Sequence, residues 1–132
     1  MTGYAIVLAS GDVGRVQAAS IIGSVAAASD VPVELFVTMD GLTAFESERV
    51  ERGAFEGGEV AEAMAADGGE RMDLYYEQLA DAKEIGPLSV YACEMAMDLF
   101  GTDLDDYVDV FDDTLGVAGF LNRAADKQVV FV

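Results

Sequence analysis

Apolar runs and helical patterns alternate along this chain. Residues 4–9 and 33–39 are almost wholly apolar, and each run ends in a turn that contains Asp and Gly. Such runs are typical of strands that are buried on both faces of a parallel sheet. The pattern therefore predicts two neighbouring parallel strands near the start of the chain.

The segment between these strands, residues 13–29, has the spacing of an amphipathic helix. Its apolar residues recur at i, i+3, i+4 and i+7, at Ala18, Ile21, Ile22 and Val25. Asp12 stands where an N-cap is expected. The pattern predicts a helix that packs this apolar stripe on the sheet and completes a βαβ unit.

The alternation continues through the rest of the chain. Residues 52–70 are the exception, because their many Gly and acidic residues indicate a mobile excursion from the domain. The further predicted elements are a helix over about 41–50, a short helix near 59–66, a helix through Met72, Tyr75, Tyr76 and Leu79 that ends at Gly86-Pro87, a strand over 88–92, a short helix over 93–101, a strand around 107–110, a helix over about 114–125 and a final strand over 128–132. This succession predicts one α/β domain over residues 1–132. We expect a three-layer α/β/α sandwich with a mainly parallel sheet of about five strands.

The charge of the chain limits the classes of molecule that it can bind. Among 132 residues, 25 are acidic and 7 are basic, which gives a net charge of −18. Duplex nucleic acid would be repelled. Because the acids are spread along the chain rather than clustered, we interpret them as adaptation to the concentrated salt of a halophile, which screens self-repulsion. An acidic face that docks a basic partner is the alternative.

The residue types also limit location and chemistry. The start of the chain has no basic region and its apolar run is too short for a signal peptide, so we expect a cytoplasmic protein without a membrane partner. A single cysteine fits a reducing compartment. Histidine is absent, which removes the usual general base and the commonest metal ligand. We expect neither a metal nor an organic cofactor.

Cys93 is the candidate reactive residue, because it stands where the third predicted strand meets a helix. The carboxyl ends of parallel strands share one edge of a sheet, and helix N-termini there present free N–H groups that stabilise an anion such as a thiolate. Glu94 beside it opposes this effect. Other residues predicted to line a shared pocket are Ser10, Gly11, Asp12, Met39, Asp40, Gly41, Tyr91, Glu94 and Met95. From position alone, an inert core cysteine is equally plausible.

Three stretches carry a resemblance to a known family. They are Tyr75-Tyr76-Glu77-Gln78 with the following ACEMAMDLFG at residues 92–101, FVTMDGL at 36–42, and Gly116-Val117-Ala118 near the end of the chain. Together they resemble the DsrE/DsrF-like sulfur-transfer proteins, whose pattern is close to ACxMSMDLxG. Ala96 departs from that pattern, which usually has serine there.

The resemblance implies a flavodoxin-like fold, assembly into homo-oligomers such as trimers or hexamers, and transfer of sulfane sulfur as a persulfide on Cys93. A sulfur-carrier protein is the implied partner. Two alternatives stay open. One is a non-catalytic oligomeric module that binds a small ligand or a partner while Cys93 only packs, and the other is a flavin carrier, suggested by the fold class alone.

Overall fold

A single parallel sheet organises the structure, a computed structural model that describes residues 2–132. Its strands are β1 (Tyr4–Leu8), β2 (Val33–Val37), β3 (Leu88–Cys93), β4 (Asp113–Leu115) and β5 (Gln128–Phe131). Their order across the sheet is β4-β3-β2-β1-β5, and each neighbouring pair is parallel. The predicted α/β fold with a five-stranded parallel sheet is confirmed.

Helices lie on both faces of this sheet, which makes the three layers of a flavodoxin-like sandwich. They are α1 (Val13–Ala28), α2 (Ser47–Arg52), α3 (Gly58–Asp67), α4 (Tyr75–Ile85), α5 (Glu94–Phe100) and α6 (Val117–Ala124), with 3-10 segments at Met39–Phe45 and Leu104–Asp106. On one face α1 and α4 pack side by side, with α3 against α1, whereas α6 packs on β1 and β2 from the other face.

Helix α1 begins where its sequence predicts, but it faces the sheet with a different side. Asp12 is the N-cap, and its Oδ1 accepts hydrogen bonds from the backbone N–H groups of Gly14 at 2.9 Å and Arg15 at 3.2 Å. The predicted stripe is wrong, because its four residues are exposed. These are Ala18, Ile21, Ile22 and Val25.

The buried side of α1 is built mainly from small residues, which explains the error. They include Ala19, Ser20, Gly23 and Ala27. A Cβ at Gly23 would already lie 3.6 Å from Ile6 Cδ1 and 3.7 Å from Val33 Cγ1, so the helix backbone approaches the sheet closely. Small residues at helical spacing fit this approach better than the larger aliphatic residues would.

The predicted strand around residues 107–110 is also wrong, since β4 lies further along the chain. Val108 N donates to Phe45 O at 2.8 Å and Tyr107 bridges to Glu46, which ties this stretch to the 3-10 segment. Asp112 then meets β3, where its backbone N–H donates to Val90 O and its Oδ2 accepts from Val90 N, both at 2.7 Å. The strand β4 follows directly, so the last helix begins only at Val117.

The acidic middle of the chain contains the helix expected near 59–66, observed as α3, Gly58–Asp67. Ala61 and Met64 of α3 are buried, so this segment is part of the packed structure. The helix expected over 41–50 is divided into the 3-10 segment and α2. Met72 lies outside α4 and is exposed.

An ion pair and an aromatic stack hold α6 on the sheet. Arg123 Nη2 and Nε lie 2.9 and 3.1 Å from Oε1 of Glu34, which is buried on β2. The guanidinium carbon is 4.9 Å from the centre of the Tyr91 ring, and Phe120 stacks on Phe36 with ring centres 4.5 Å apart. The hydrogen bond that Arg123 donates to Glu34 raises the pKa of Arg123.

Replacement of Arg123 tests this attachment. In Arg123→Met, the Glu34 carboxylate loses its partner while it stays buried, and removal of one member of a fully buried pair costs about 3–5 kcal/mol. Because the arginine is partly exposed, we expect the free energy of unfolding to fall by about 1–3 kcal/mol, measured by urea denaturation at fixed high salt.

Arg52→Met is the matched control, since it changes the net charge equally but removes only an exposed pair with Glu48. Its stability should change little. Equal losses in the two variants would contradict a specific role for the Arg123 pair.

Candidate functional site

The carboxyl ends of β1, β2 and β3 meet at one edge of the sheet, because these strands are parallel neighbours in register. Two glycines bring the loops after β1 and β2 into contact. A Cβ on Gly41 would lie 2.4 Å from the carbonyl oxygen of Leu8, and a Cβ on Gly11 would lie 2.8 Å from that of Asp40. The structure thus brings Gly11, Asp40 and Gly41 together.

Ser10 and Asp12 shape the loop between β1 and α1. Ser10 Oγ accepts a hydrogen bond from Asp12 N at 3.1 Å, and the Asp12 carboxylate caps α1. That carboxylate also faces Gly57, where a Cβ would lie 2.7 Å from Oδ2. The polar atoms of both residues therefore serve the local backbone, and Asp12 occupies the N-terminus of α1 that an anionic ligand would need.

Met39 and Asp40 form the turn after β2. Met39 has a left-handed backbone with a φ of 48°, and its side chain is exposed at the sheet edge. Thr43 Oγ1 donates to Asp40 O at 2.7 Å, which fixes the turn. The Met39 side chain is thus an apolar group presented to solvent beside the ends of the strands.

Cys93 is both the last residue of β3 and the N-cap of α5. Its side chain makes no capping hydrogen bond, and the residue is only 1% exposed within the hydrophobic core. Buried residues of α5, Ala96 and Met97, hold this short helix down. The helix ends at Gly101, whose φ of 68° is left-handed. The thiol therefore lies beneath the surface of the edge.

The predicted residues near Cys93 face different surroundings. Glu94 and Met95 are exposed on the first turn of α5, with Glu94 Oε1 3.1 Å from where a Cβ on Gly116 would lie. Tyr91 instead lies on the face of the sheet below the Arg123 guanidinium. Ala96, where the resembled pattern has serine, is fully buried.

A small cavity next to Gly11 was not predicted from the sequence. It measures about 10 Å³, which is room for one water molecule, and its lining includes Arg49 and Tyr75. Arg49 pairs with Glu46 at 3.3 Å and with Glu56 at 3.0 Å. Burial raises the pKa of Tyr75, whose hydroxyl donates to Ala44 O. The available signal in the sequence was Arg49 between two acids, Glu48 and Glu51.

Several carboxylates between residues 103 and 113 have structural partners. Asp103 and Asp106 form a reciprocal capping box, and Asp112 pairs with Lys83 at 3.1 Å. Within residues 2–132, no group of three or more acidic or cysteine side chains is arranged to hold a metal ion. The same part of the chain has no helix with the length and apolarity of a membrane span.

The comparisons with known proteins support the fold. No protein-family model matches this chain, and no curated protein matches it significantly. A solved structure of a protein of unknown function, MTH1491 from Methanobacterium thermoautotrophicum, matches over 100% of both chains with a TM-score of 0.66 and 14% identity. This likeness shows a shared fold, and membership of the DsrE/DsrF-like family stays a prediction.

The contact at Gly41 can be tested by adding one methyl group. Because the new Cβ would meet a backbone oxygen at 2.4 Å, Gly41→Ala should lower the free energy of unfolding by about 2–3 kcal/mol. Gly58→Ala is the control, since a Cβ there meets nothing within 4 Å. It should leave stability unchanged or raise it slightly. A neutral Gly41→Ala would show that the two loops are not in close contact.

Proposed function

We propose that this protein is a sulfur carrier or sulfurtransferase that relays sulfane sulfur as a persulfide on Cys93. The observation that carries the proposal is the position of this single thiol at the carboxyl end of β3, next to the end of β2. In open parallel sheets, this edge is where ligands and substrates bind. The resemblance of residues 92–101 to the sulfur-transfer pattern supports the same chemistry.

The proposed transfer needs no oxidant and no cofactor. The Cys93 thiolate attacks the outer sulfur of a donor persulfide, the donor S–S bond breaks, and the donor leaves as a thiolate. Cys93 then holds the sulfur as a persulfide. An acceptor thiolate attacks this outer sulfur, the Cys93 S–S bond breaks, and the Cys93 thiolate is restored.

The buried position of Cys93 requires that the edge open before transfer. Helix α5 has seven residues and is held mainly by Ala96 and Met97. Short elements with few buried side chains open locally at a cost well below that of global unfolding. We propose that movement of α5 exposes the sulfur, and that the exposed Met39, Met95 and Leu99 near this edge contact the sulfur-carrier partner.

Mass spectrometry of the native protein tests the carrier role. After incubation with polysulfide in molar KCl, Cys93 should gain a mass of one sulfur that dithiothreitol removes, and Cys93→Ser should gain none. The reaction should proceed faster than global unfolding at the same salt. If the adduct forms only when urea unfolds the protein, the carrier role is excluded.

The burial of Cys93 favours a second candidate function, a non-catalytic oligomeric module that binds a small ligand or a partner. Here Cys93 would be one of the small apolar residues of the core, as its 1% exposure suggests. If the protein has this second function, the native thiol should not react with polysulfide. Cys93→Ala should then change stability without changing ligand or partner binding.

The charge and the exposed apolar side chains also bear on the medium and the assembly of the protein. We propose a cytoplasmic, halophilic protein that works as a homo-oligomer, a trimer or a hexamer. The excess of 25 acidic over 7 basic residues supports concentrated salt as its medium. The exposed aliphatic and aromatic side chains on α5, α6 and β5 support assembly. Light scattering in molar KCl should show a mass above that of one chain.

A further inference from the structure

The face of the sheet below α6 has less cover than its strands need. Five strands spaced about 4.8 Å apart make a sheet roughly 20 Å wide, whereas one helix covers about 10 Å. Strands β1 and β2 lie below α6, and Tyr91 of β3 lies below its Arg123 side chain. Parallel sheets are normally covered on both faces, so about half of the width lacks a helix here, divided between the β5 edge and the β3–β4 side.

One part of this uncovered width lies over β5. Phe131 pairs in register with Val7, and Val7 with Phe36, so all three side chains point to the α6 face. Phe36 is buried under Phe120, but Phe131 is 74% exposed and Val129, which shares this face, is 55% exposed. Burial thus decreases from the middle of the sheet to its β5 edge.

The outer side of α6 beside this strip is apolar as well. Val117 and Leu121 are exposed, and Leu121 is 61% exposed. The four side chains Val117, Leu121, Val129 and Phe131 define the α6/β5 surface. It combines a protruding helix with an adjoining bare strip of sheet that is about one strand wide.

The charge of this region differs from that of most of the protein; the exposed stripe of α1 also lacks acids of its own, but it adjoins Asp73 and Asp81. Residues 114–132 contain one acid, Asp126, and two basic residues, Arg123 and Lys127, a net charge of +1. The other 113 residues therefore carry a net charge of −19, which together with this +1 gives the total of −18. A basic partner would be attracted to the acidic remainder. Two strongly acidic surfaces, in contrast, meet most readily through a region without this excess of acids, because carboxylates in direct contact are too close for salt to screen.

We propose that the α6/β5 surface binds a second copy of this chain across a two-fold axis. The two sheets face each other, and the two α6 helices lie side by side in one shared layer. The exposed ridge of each helix covers the bare β5 strip of the other copy, as a self-complementary contact requires. This inference rests on the homo-oligomer part of the proposed function, where it favours the hexamer because a cyclic trimer has no two-fold axis, and it does not depend on sulfur chemistry.

Two substitutions that each introduce a carboxylate, at positions of equal exposure, test the α6/β5 surface. Leu121→Glu places a carboxylate in the proposed contact, while Val25→Glu places one on α1, on the opposite side of the sheet, and both original residues are 61% exposed. By light scattering in molar KCl, the wild type should be oligomeric and Leu121→Glu should lose at least half of that mass. Val25→Glu should keep it. Circular dichroism should show that both variants are folded.

Cross-linking supplies a second measurement that does not disturb the contact by charge. In a Cys93→Ala background, tagged Leu121→Cys chains mixed with untagged Phe131→Cys chains should form a mixed dimer on mild oxidation. Val25→Cys chains should not. Dissociation by Val25→Glu but not by Leu121→Glu, or cross-links only through Val25→Cys, would overturn the surface. A monomeric wild type would overturn the oligomer proposal as a whole, whereas an oligomer that resists Leu121→Glu overturns this surface alone.

Discussion

Parallel strands expose apolar side chains on both faces of their sheet, and each face must be covered by something other than water. In this protein the cover is uneven. Two helices, α1 and α4, lie on one face, and the small residues of α1 let its backbone approach the strands closely. The opposite face depends on α6, eight residues long, which an ion pair and an aromatic stack attach to β2. The position of α6 therefore decides how much of the apolar sheet is in contact with water.

Much of this fold could be predicted from local pattern. Continuous apolar runs identified β1, β2 and β3, and Asp12 and Gly101 marked a helix start and a helix end through capping rules. Which side of α1 faces the sheet could not be predicted. The helix has one stripe of larger aliphatic residues and one of small residues, and only tertiary packing decides which of them is buried. Strand β4 has three residues and begins with an acid, so it has no apolar run to detect.

The candidate site could also be predicted only in part, because sequence patterns indicate the order of the strands but not the packing of single side chains. The order of parallel strands determines which loops share an edge, so the positions of Gly11, Asp40 and Gly41 followed from topology. Burial of a single side chain does not follow from topology. The depth of Cys93 depends on how α5 folds over the end of β3, and the contact between Arg123 and Tyr91 joins residues that are 32 positions apart.

The burial of Cys93 links chemistry to local stability. A thiol that is 1% exposed in the closed structure reacts at its intrinsic rate multiplied by the fraction of time that the edge is open. Anything that strengthens the packing of α5 then slows the thiol by the same factor. Salt that screens the carboxylates would make the fold more stable and the sulfur less reactive together. The single cysteine of this chain is therefore a built-in reporter of opening at this edge of the sheet, because the rate of its modification is a measure of a conformational equilibrium.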